Sequence, residues 1–263
     1  MNSMYRGGFS MVISKKILFL SIVMLFIFLS QVVFAETNEK EAVLKELIAK
    51  GYNGNVLEQR NLLLKFQAEN NLTVDGIIGK ETTKALKAKN KRVVDKVPEE
   101  IKEKEWFIVI NKDKKILTVY NYGEVYQKYP VALGKSSSPT PDYKFTIVNK
   151  LVNPDWGGMG GKFKPIKGGD PRNPLGKRWL GLSTEKYWGY GIHGNSDPYS
   201  IGKYISYGCI RMINEDVEEL YEYIPVETNV WIGTEKVLKE WGVEQYIEYY
   251  NRVAMGPFFR CIF

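Results

Sequence analysis

Apolar positions change their spacing several times along this chain, and each change marks an element. Residues 17–34 form an uncharged apolar run, preceded by Lys15 and Lys16 and ending Val33-Phe34-Ala35 before Glu36. Next, Ala42, Leu44, Leu47, Ile48 and the apolar positions of 56–66 recur near helical spacing, broken at Gly51-Tyr52-Asn53-Gly54 and again over 70–79. Thr82 and Thr83 open a last helix carrying Ala85 and Leu86. Residues 91–104, rich in Lys and Glu and containing Val97-Pro98, read as a solvated linker. At Trp106 the pattern turns to strands: 106–110, a polar turn, 116–120, another turn at Asn121-Tyr122-Gly123-Glu124, then 126–133 and 145–148. Residues 151–180 hold too many Gly and Pro for long regular elements, yet also carry Trp156 and Trp179, with Arg172, Lys177 and Arg178. A loop of that length in a compact domain is usually functional, and here it suggests a lid or substrate wall. Asn214 reads as the N-cap of a helix with acids in its first turn, residues 228–232 as a strand, and 235–263 as a helical tail. Closely spaced short strands after a helical opening predict a mainly β protein.

Composition narrows what such a protein does. The chain has 263 residues, 44% hydrophobic and 13% aromatic, enough for one substantial core and a small second module. Its formal charge is +7, but Arg6, Lys15 and Lys16 lie in the leader where no acid balances them; subtracting these three leaves +4, with Lys and Glu interspersed. That suits a soluble surface in an anionic environment and argues against nucleic acid as a partner. The basic start, apolar run and small residues before Glu36 have the form of an export signal peptide over 1–35, or of an uncleaved membrane anchor through 17–34. Both place the remaining chain outside, in the cell wall or on the outer face of the cytoplasmic membrane. Two cysteines are too few for a disulfide scaffold, and one histidine does not make a zinc site. No metal and no other cofactor is expected, and the chain is expected to be a monomer.

The chemistry concentrates in one stretch. His193, the only histidine, lies in Gly191-Ile192-His193-Gly194, sixteen positions before Cys209 in Ser206-Tyr207-Gly208-Cys209-Ile210-Arg211-Met212. A free thiol has a pKa near 8.5, so it needs a base to react near neutral pH. Cys209 as nucleophile and His193 as base have the parts of a thiol acyl-transfer centre. Gly194 lets a backbone carbonyl approach and orient the imidazole. Gly208 lets the backbone around Tyr207 and Cys209 present N–H groups to an oxyanion, and Arg211 is placed to hold a carboxylate or support the loop. On these residues alone the bland reading, a small buried cysteine and a structural histidine, stays open.

Two resemblances sharpen this. Ile192-His193-Gly194-Asn195, Ser200-Ile201-Gly202-Lys203 and 206–212 closely match the signature of the L,D-transpeptidase (YkuD-like) catalytic domain. Val131-Ala132-Leu133-Gly134-Lys135, Thr140-Pro141 and Asn173-Pro174-Leu175-Gly176 extend the match over roughly 105–233. Upstream, Phe66-Gln67, Leu72 and Val74-Asp75-Gly76-Ile77-Ile78-Gly79-Lys80-Glu81-Thr82 resemble the peptidoglycan-binding type 1 domain, with Asp75, Gly76 and Gly79 in its turn.

The resemblances imply a signal peptide or anchor over 1–35, a small α-helical peptidoglycan-binding domain over 38–90 and a linker over 91–104. A mixed β-sandwich catalytic domain over 105–234 and the tail over 235–263 complete the chain. Cys209 would attack the carbonyl of the third residue of a tetrapeptide stem, expel the terminal D-Ala, and pass the acyl group to an amine of a neighbouring stem as a 3→3 cross-link. Water as acceptor would make it a carboxypeptidase. His193 carries over as base, Gly194 as its carbonyl orienter, and the amides around Tyr207, Gly208 and Cys209 as the oxyanion hole. Ser206 and Arg211 are supporting positions. The partners implied are peptidoglycan stem peptides and glycan. Two positions depart from the pattern: Tyr207 stands where many relatives have His, and Tyr143 where Gly usually follows Thr-Pro-x. An NlpC/P60-like hydrolase would place its Cys before its His, the reverse of this order. A non-catalytic wall-binding protein would not need the pair.

Overall fold

The run Phe107-Ile108-Val109-Ile110 is apolar at consecutive positions, and a strand of that kind has to be covered on both faces. That requirement shapes the fold. The structure, a computed structural model, describes residues 55–250 together with Met24. The leader expected over 1–35, the beginning of the region expected over 38–90, and residues 251–263 with Cys261 lie outside the described residues.

Strands β2 (Phe107–Asn111), β3 (Ile116–Asn121), β4 (Glu124–Gly134), β5 (Tyr143–Val152) and β10 (Asn229–Gly233) fall where the sequence pattern places them. Four further strands, β6 (Arg178–Ser183), β7 (Tyr190–His193), β8 (Tyr204–Ser206) and β9 (Ile210–Met212), fill the Gly-rich stretch between β5 and β10. They join in the order β3-β2-β10-β5-β6-β7-β9-β4-β8, and β3 pairs also with β4, so the sheet closes on itself. Pairing is mixed: β10–β2, β7–β9 and β4–β8 are parallel and the other neighbours antiparallel. The fold is mainly β, with two curved halves facing each other across one core. Ile108 and Ile110 enter that core beside Val119, Leu133, Phe145, Ile192, Ile210 and Val230, and helix α4 (Asn214–Tyr223) adds Val217 and Leu220.

The alternate residues of β2, β3 and β10 face the other way. Phe107, Val109, Tyr120 and Trp231 form a second apolar layer with Ile101, Leu238 and Val243. Two sequence expectations change here. The segment 91–104 is not a solvated linker: it forms β1 (Lys91–Lys96) and the one-turn helix α3 (Glu99–Lys102). The tail is not wholly helical either, since after α5 (Glu235–Glu240) it forms β11 (Glu244–Tyr249), antiparallel to β1 from Lys91↔Tyr249 to Lys96↔Glu244. Both segments are held because they cover the outer face of β2, β3 and β10; their charged surfaces concealed this.

The helical segment joins the same body. Helix α1 (Val56–Glu69) starts at a capping box in which the Asn55 side chain accepts from Leu57 and Glu58 amides and the Glu58 carboxylate accepts from the Asn55 amide. Its Leu64 and Ala68, with Val74, pack on Ile116, Ala132, Ile201 and Ile213, and Lys65 pairs with the buried Asp216 of α4 at 2.5 Å. The turn expected to be wall-binding is held by the preceding helix. Gln67 Nε2 donates to Asp75 Oδ1 (2.7 Å), and Gln67 Oε1 accepts from the amides of Asp75 and Gly76 (3.0 and 2.9 Å). Gly76 sits at φ +72°, and Gly79 caps helix α2 (Lys80–Lys87), so Thr82 lies inside that helix and does not open it.

A buried ion pair ties these layers together. Lys128 of β4 meets Asp95 of β1 at 2.6 Å, both almost inaccessible, with Gln245 of β11, Tyr120 of β3 and Asn71 bonded to the same group. Burial by itself raises the Asp95 carboxyl, but the Lys128 charge and three hydrogen bonds outweigh it and hold that carboxyl below its ordinary value. Burial pulls the Lys128 ammonium down. Removing one partner leaves a buried charge uncompensated, which costs roughly 3–5 kcal/mol. Lys128→Ala is therefore expected to lower unfolding stability by about 3 kcal/mol in urea melts, and Lys128→Met with Asp95→Leu to recover most of that. Because the Asp95 pKa is depressed, its contribution is present at neutral pH and lost on acidification through the folded-state value, a pH dependence the double variant lacks.

Candidate active site

Strand β7 ends at His193 and β9 begins just after Cys209, and the two strands pair in parallel with Ile192 opposite Ile210 and His193 opposite Arg211. The sixteen-residue separation thus becomes a neighbouring position across one ladder, and His193, Cys209 and Arg211 line one cavity of about 490 Å³. The imidazole is buried and held on two sides. Its Nδ1 lies 2.7 Å from the Gly194 carbonyl oxygen. A proton on Nδ1 donated to that oxygen leaves the Nε2 lone pair free as a base. The Trp179 ring stacks on it at 5.8 Å and 20°, with Trp179 Nε1 donating to Asn149 Oδ1 at 3.1 Å.

Two further contacts fix the histidine turn. Asn214 Oδ1 accepts from the Asn195 amide (2.9 Å) and its Nδ2 donates to the Asn195 carbonyl (3.1 Å). A Cβ on Gly194 would come within 2.3 Å of that Oδ1, so only glycine fits. Asn214 therefore does not cap α4 as the sequence suggests: Ile213 holds the N-cap position, and the amide side chain serves the active-site turn.

The cysteine loop is stapled from within. Ser206 Oγ accepts from the Gly208 amide (3.1 Å) and donates to the Cys209 carbonyl (2.6 Å). Thr140 Oγ1 donates to the Gly208 carbonyl (2.8 Å) while accepting from the Gly134 amide (2.9 Å), and Ser138 Oγ donates to the Tyr207 carbonyl (2.8 Å). Gly208 has φ +118°, and a Cβ there would meet the Tyr190 ring at 2.8 Å. The expectation that Gly208 itself offers an N–H to an oxyanion is corrected: that N–H is taken by Ser206, whose role is to shape the loop. What glycine supplies is the backbone turn between Tyr207 and Cys209.

Electrostatics leave the pair neutral at rest. Burial pushes the Cys209 thiol up to about 11, against the smaller opposing effects of the Gly191 backbone and Arg211. Burial pulls His193 down to about 4, opposed by the Gly194 carbonyl and assisted by Arg211. The thiol donates to the Gly189 carbonyl at 3.8 Å. Arg211 is half-buried, and its inaccessible Nε has no hydrogen-bond partner among the described residues.

The long loop forms the opposite wall. Trp156 pairs with Ile166 as an isolated bridge, Asn173 Nδ2 donates to the Pro154 carbonyl (2.8 Å), and Trp156, Met159 and Phe163 face the cavity with Pro174 and Leu175. Its expected cations do not line the cavity. Arg172 pairs with Asp170, Lys177 with Glu218 and Arg178 with Glu222. Trp179, expected on a lid or substrate wall, lies instead on β6 against the imidazole, and Tyr190 gave no signal in sequence because its strand is hidden among glycines. Thr140 and Asn214 were visible in sequence, but their bonds to the site were not.

A buried imidazole anchored at Nδ1, a thiol on a stapled loop and a guanidinium thus line one cavity on a mainly β frame. The YkuD family, described as the L,D-transpeptidase catalytic domain, matches residues 105–232. The B. subtilis (strain 168) protein YqjB, named as an L,D-transpeptidase, is 41% identical over 128 residues, covering 48% of this chain and 70% of that protein. YkuD of the same organism, likewise named, is 39% identical over 128 residues, covering 49% and 66%. Among solved structures, an L,D-transpeptidase from Mycobacterium tuberculosis H37Rv aligns with 49% of this chain and 57% of its own at 17% identity and a TM-score of 0.41. This chain belongs to the YkuD family of L,D-transpeptidase catalytic domains. The matched segments span about two thirds of the two B. subtilis proteins.

Two outcomes follow from the geometry. Alkylation of Cys209 by iodoacetamide should accelerate about tenfold per pH unit from pH 6 to 9 without levelling, because the thiolate fraction keeps rising below a pKa of about 11; a plateau near pH 7 would instead indicate a preformed thiolate–imidazolium pair. Gly208→Ala, strained at its positive φ by about 1–3 kcal/mol and crowded by Tyr190, should lower the melting temperature and slow that alkylation at fixed pH.

Proposed function

We propose that the protein is an L,D-transpeptidase that forms 3→3 peptidoglycan cross-links through a thioester on Cys209. The carrying observation is the placement of His193 and Cys209 on one cavity wall, with the His193 Nδ1 anchored on the Gly194 carbonyl. The donor is a tetrapeptide stem bound in the cavity beneath Trp156 and Phe163. As Sγ attacks the carbonyl of the third stem residue, its proton passes to Nε2 of His193. The carbonyl oxygen takes negative charge and is met by the amides of Tyr207 and Cys209. Collapse of this intermediate breaks the bond to the fourth residue, and His193 returns the proton to the departing amine. An amine from a second stem then attacks the thioester, gives a proton to His193 and leaves as the cross-linked product, while the thiol recovers its proton. One amide bond is broken and one formed, so the exchange needs no external energy source.

A neutral resting pair fits this cycle. The proton moves only during attack, so charge appears when the carbonyl is in position to receive it, and a resting thiol is less exposed to oxidation than a thiolate. Arg211 is the group placed to hold an anionic part of the substrate or the developing charge. The site of action follows from the polymer: outside the cytoplasmic membrane, against the wall. In this reading the α1–α2 segment helps hold the domain on peptidoglycan, with the turn at Asp75, Gly76 and Gly79 on its exposed side.

Incubation of wild-type protein with disaccharide-tetrapeptide should yield 3→3 linked dimers and free D-Ala on mass analysis of the products. Cys209→Ala should give neither, with wall sedimentation unchanged. Release of D-Ala without dimers would assign the protein to hydrolysis, and dimers from Cys209→Ala would overturn the thioester route.

A further inference from the structure

The mouth of the cavity carries a cationic feature that the reaction described above does not use. Tyr207 is an exposed residue of the cysteine loop, two positions from the nucleophile. Lys135 Nζ stands 4.2 Å from its ring centroid and Lys162 Nζ 4.7 Å, while the Phe163 ring lies 6.1 Å away. The two lysines come from different segments. Lys135 follows the end of β4, and its amide donates to the Ser206 carbonyl at 3.0 Å, so its backbone is fixed to the cysteine loop. Lys162 sits on the lid beside Phe163.

Neither lysine forms an ion pair with any described residue. The acids of the surrounding loops are already committed: Asp155 to Lys167 and Asp170 to Arg172. No acid lines the cavity, and Arg211 is the one Lys or Arg among its lining residues, with Lys135 and Lys162 reaching it only through Tyr207 at its mouth. Both rest on an aromatic face, a contact worth only about 0.5–1 kcal/mol at an exposed site. Such a contact restricts the ammonium groups without neutralising them. The tyrosine thus gathers two uncompensated charges at the entrance and leaves their outward N–H bonds available.

We propose that Lys135 and Lys162, gathered on Tyr207, form a carboxylate-recognition rim that selects donor stems bearing a free acid over the same stems bearing a carboxamide. This rests on the transpeptidase reading of the site. The ligand class is a peptide with a free carboxylate close to the attacked carbonyl, since the rim lies two residues from Cys209. A carboxamide has the same shape but no charge, so it would make at most neutral hydrogen bonds there. The rim is distinct from Arg211, which lies inside the cavity. It also joins the lid to the cysteine loop, so an anion that engages both lysines favours the lid position seen here.

The test compares tetrapeptide donors carrying free acid or carboxamide at the second-residue, third-residue and terminal carboxyls, one at a time. Affinity is measured on Cys209→Ala protein and kcat/KM on the intact enzyme. The all-acid donor should bind at least about fivefold more tightly than one of the carboxamides, and that analogue identifies the carboxylate read. The preference should shrink as salt rises from roughly 20 to 300 mM, as screening requires. Lys135→Gln with Lys162→Gln should abolish the preference while leaving carboxamide affinity in place, and the corresponding Arg pair should retain it. Equal affinity of the acid and every carboxamide for Cys209→Ala protein, or a preference that survives in the Gln pair, overturns the proposal. A preference in affinity without any turnover by intact enzyme would leave the rim standing and remove the transpeptidase reading instead.

Discussion

The parallel pairing of β7 with β9 is the constraint on which the site depends. A parallel pair cannot be joined by a tight turn, so the chain must leave after His193 and return at Ile210 by a crossover. The crossover carries β8, the turn at Pro198–Ser200 and the cysteine loop. Because Ile192 and Ile210 are both buried in the central core, the register cannot slip without turning an apolar side chain outward. The relation between imidazole and thiol is thereby fixed by core packing, while the atoms that react lie beyond the strand ends. A rigid ladder fixes direction and loop hydrogen bonds fix distance: the Asn214–Asn195 pair on one side, and Ser206 with Thr140 on the other.

Burial gives the same site its resting chemistry. Both the thiol and the imidazole are driven toward their neutral forms, the thiol to about 11 and the imidazole to about 4. In such an environment an ion pair would have to repay two desolvation costs before substrate arrived. The neutral pair postpones charge separation until a carbonyl and its amide donors share it. Arg211 acts on both groups in the same field, favouring thiolate and disfavouring imidazolium. It therefore makes Cys209 a stronger acid and His193 a weaker base, two effects that oppose each other in a proton transfer between them.

How much of this the sequence disclosed depended on whether a residue's partner was near in sequence or near only in the fold. The long strands β2 to β5 and β10 were legible from apolar runs and turns, and His193 and Cys209 from rarity and setting. Strands β6 to β9 were not, since they lie among glycines, β7 to β9 have only three or four residues, and their pairing is supplied by the sheet. Asn214 has the look of an N-cap because local sequence shows only the helix that follows it; its bonds to Asn195 arise from the β9–α4 junction. Likewise 91–104 and the tail look solvated from their charges, and only the second apolar face of β2 and β10 shows why they must dock. The hydrogen bonds that Asp75 and Gly76 make to Gln67 are likewise invisible in sequence, because Gln67 belongs to the preceding helix.

These misreadings share a cause that bears on the site itself. Polar residues whose hydrogen bonds close inside the protein resemble, in sequence, polar residues kept for a ligand, and only the count of satisfied atoms separates them. By that criterion Ser206, Thr140 and Asn214 belong to the scaffold. Arg172, Lys177 and Arg178 have carboxylate partners and leave no charge for substrate. What remains with unspent capacity around the cavity is a short set: His193 Nε2, the Cys209 thiol, Arg211, and the two lysines on Tyr207. Tyr207, a departure from the family pattern, is also the residue around which the lid and the cysteine loop meet. The position that weakens the resemblance is thus the one through which this chain can differ from its relatives in what it admits, while the chemistry two residues further on is left as it was.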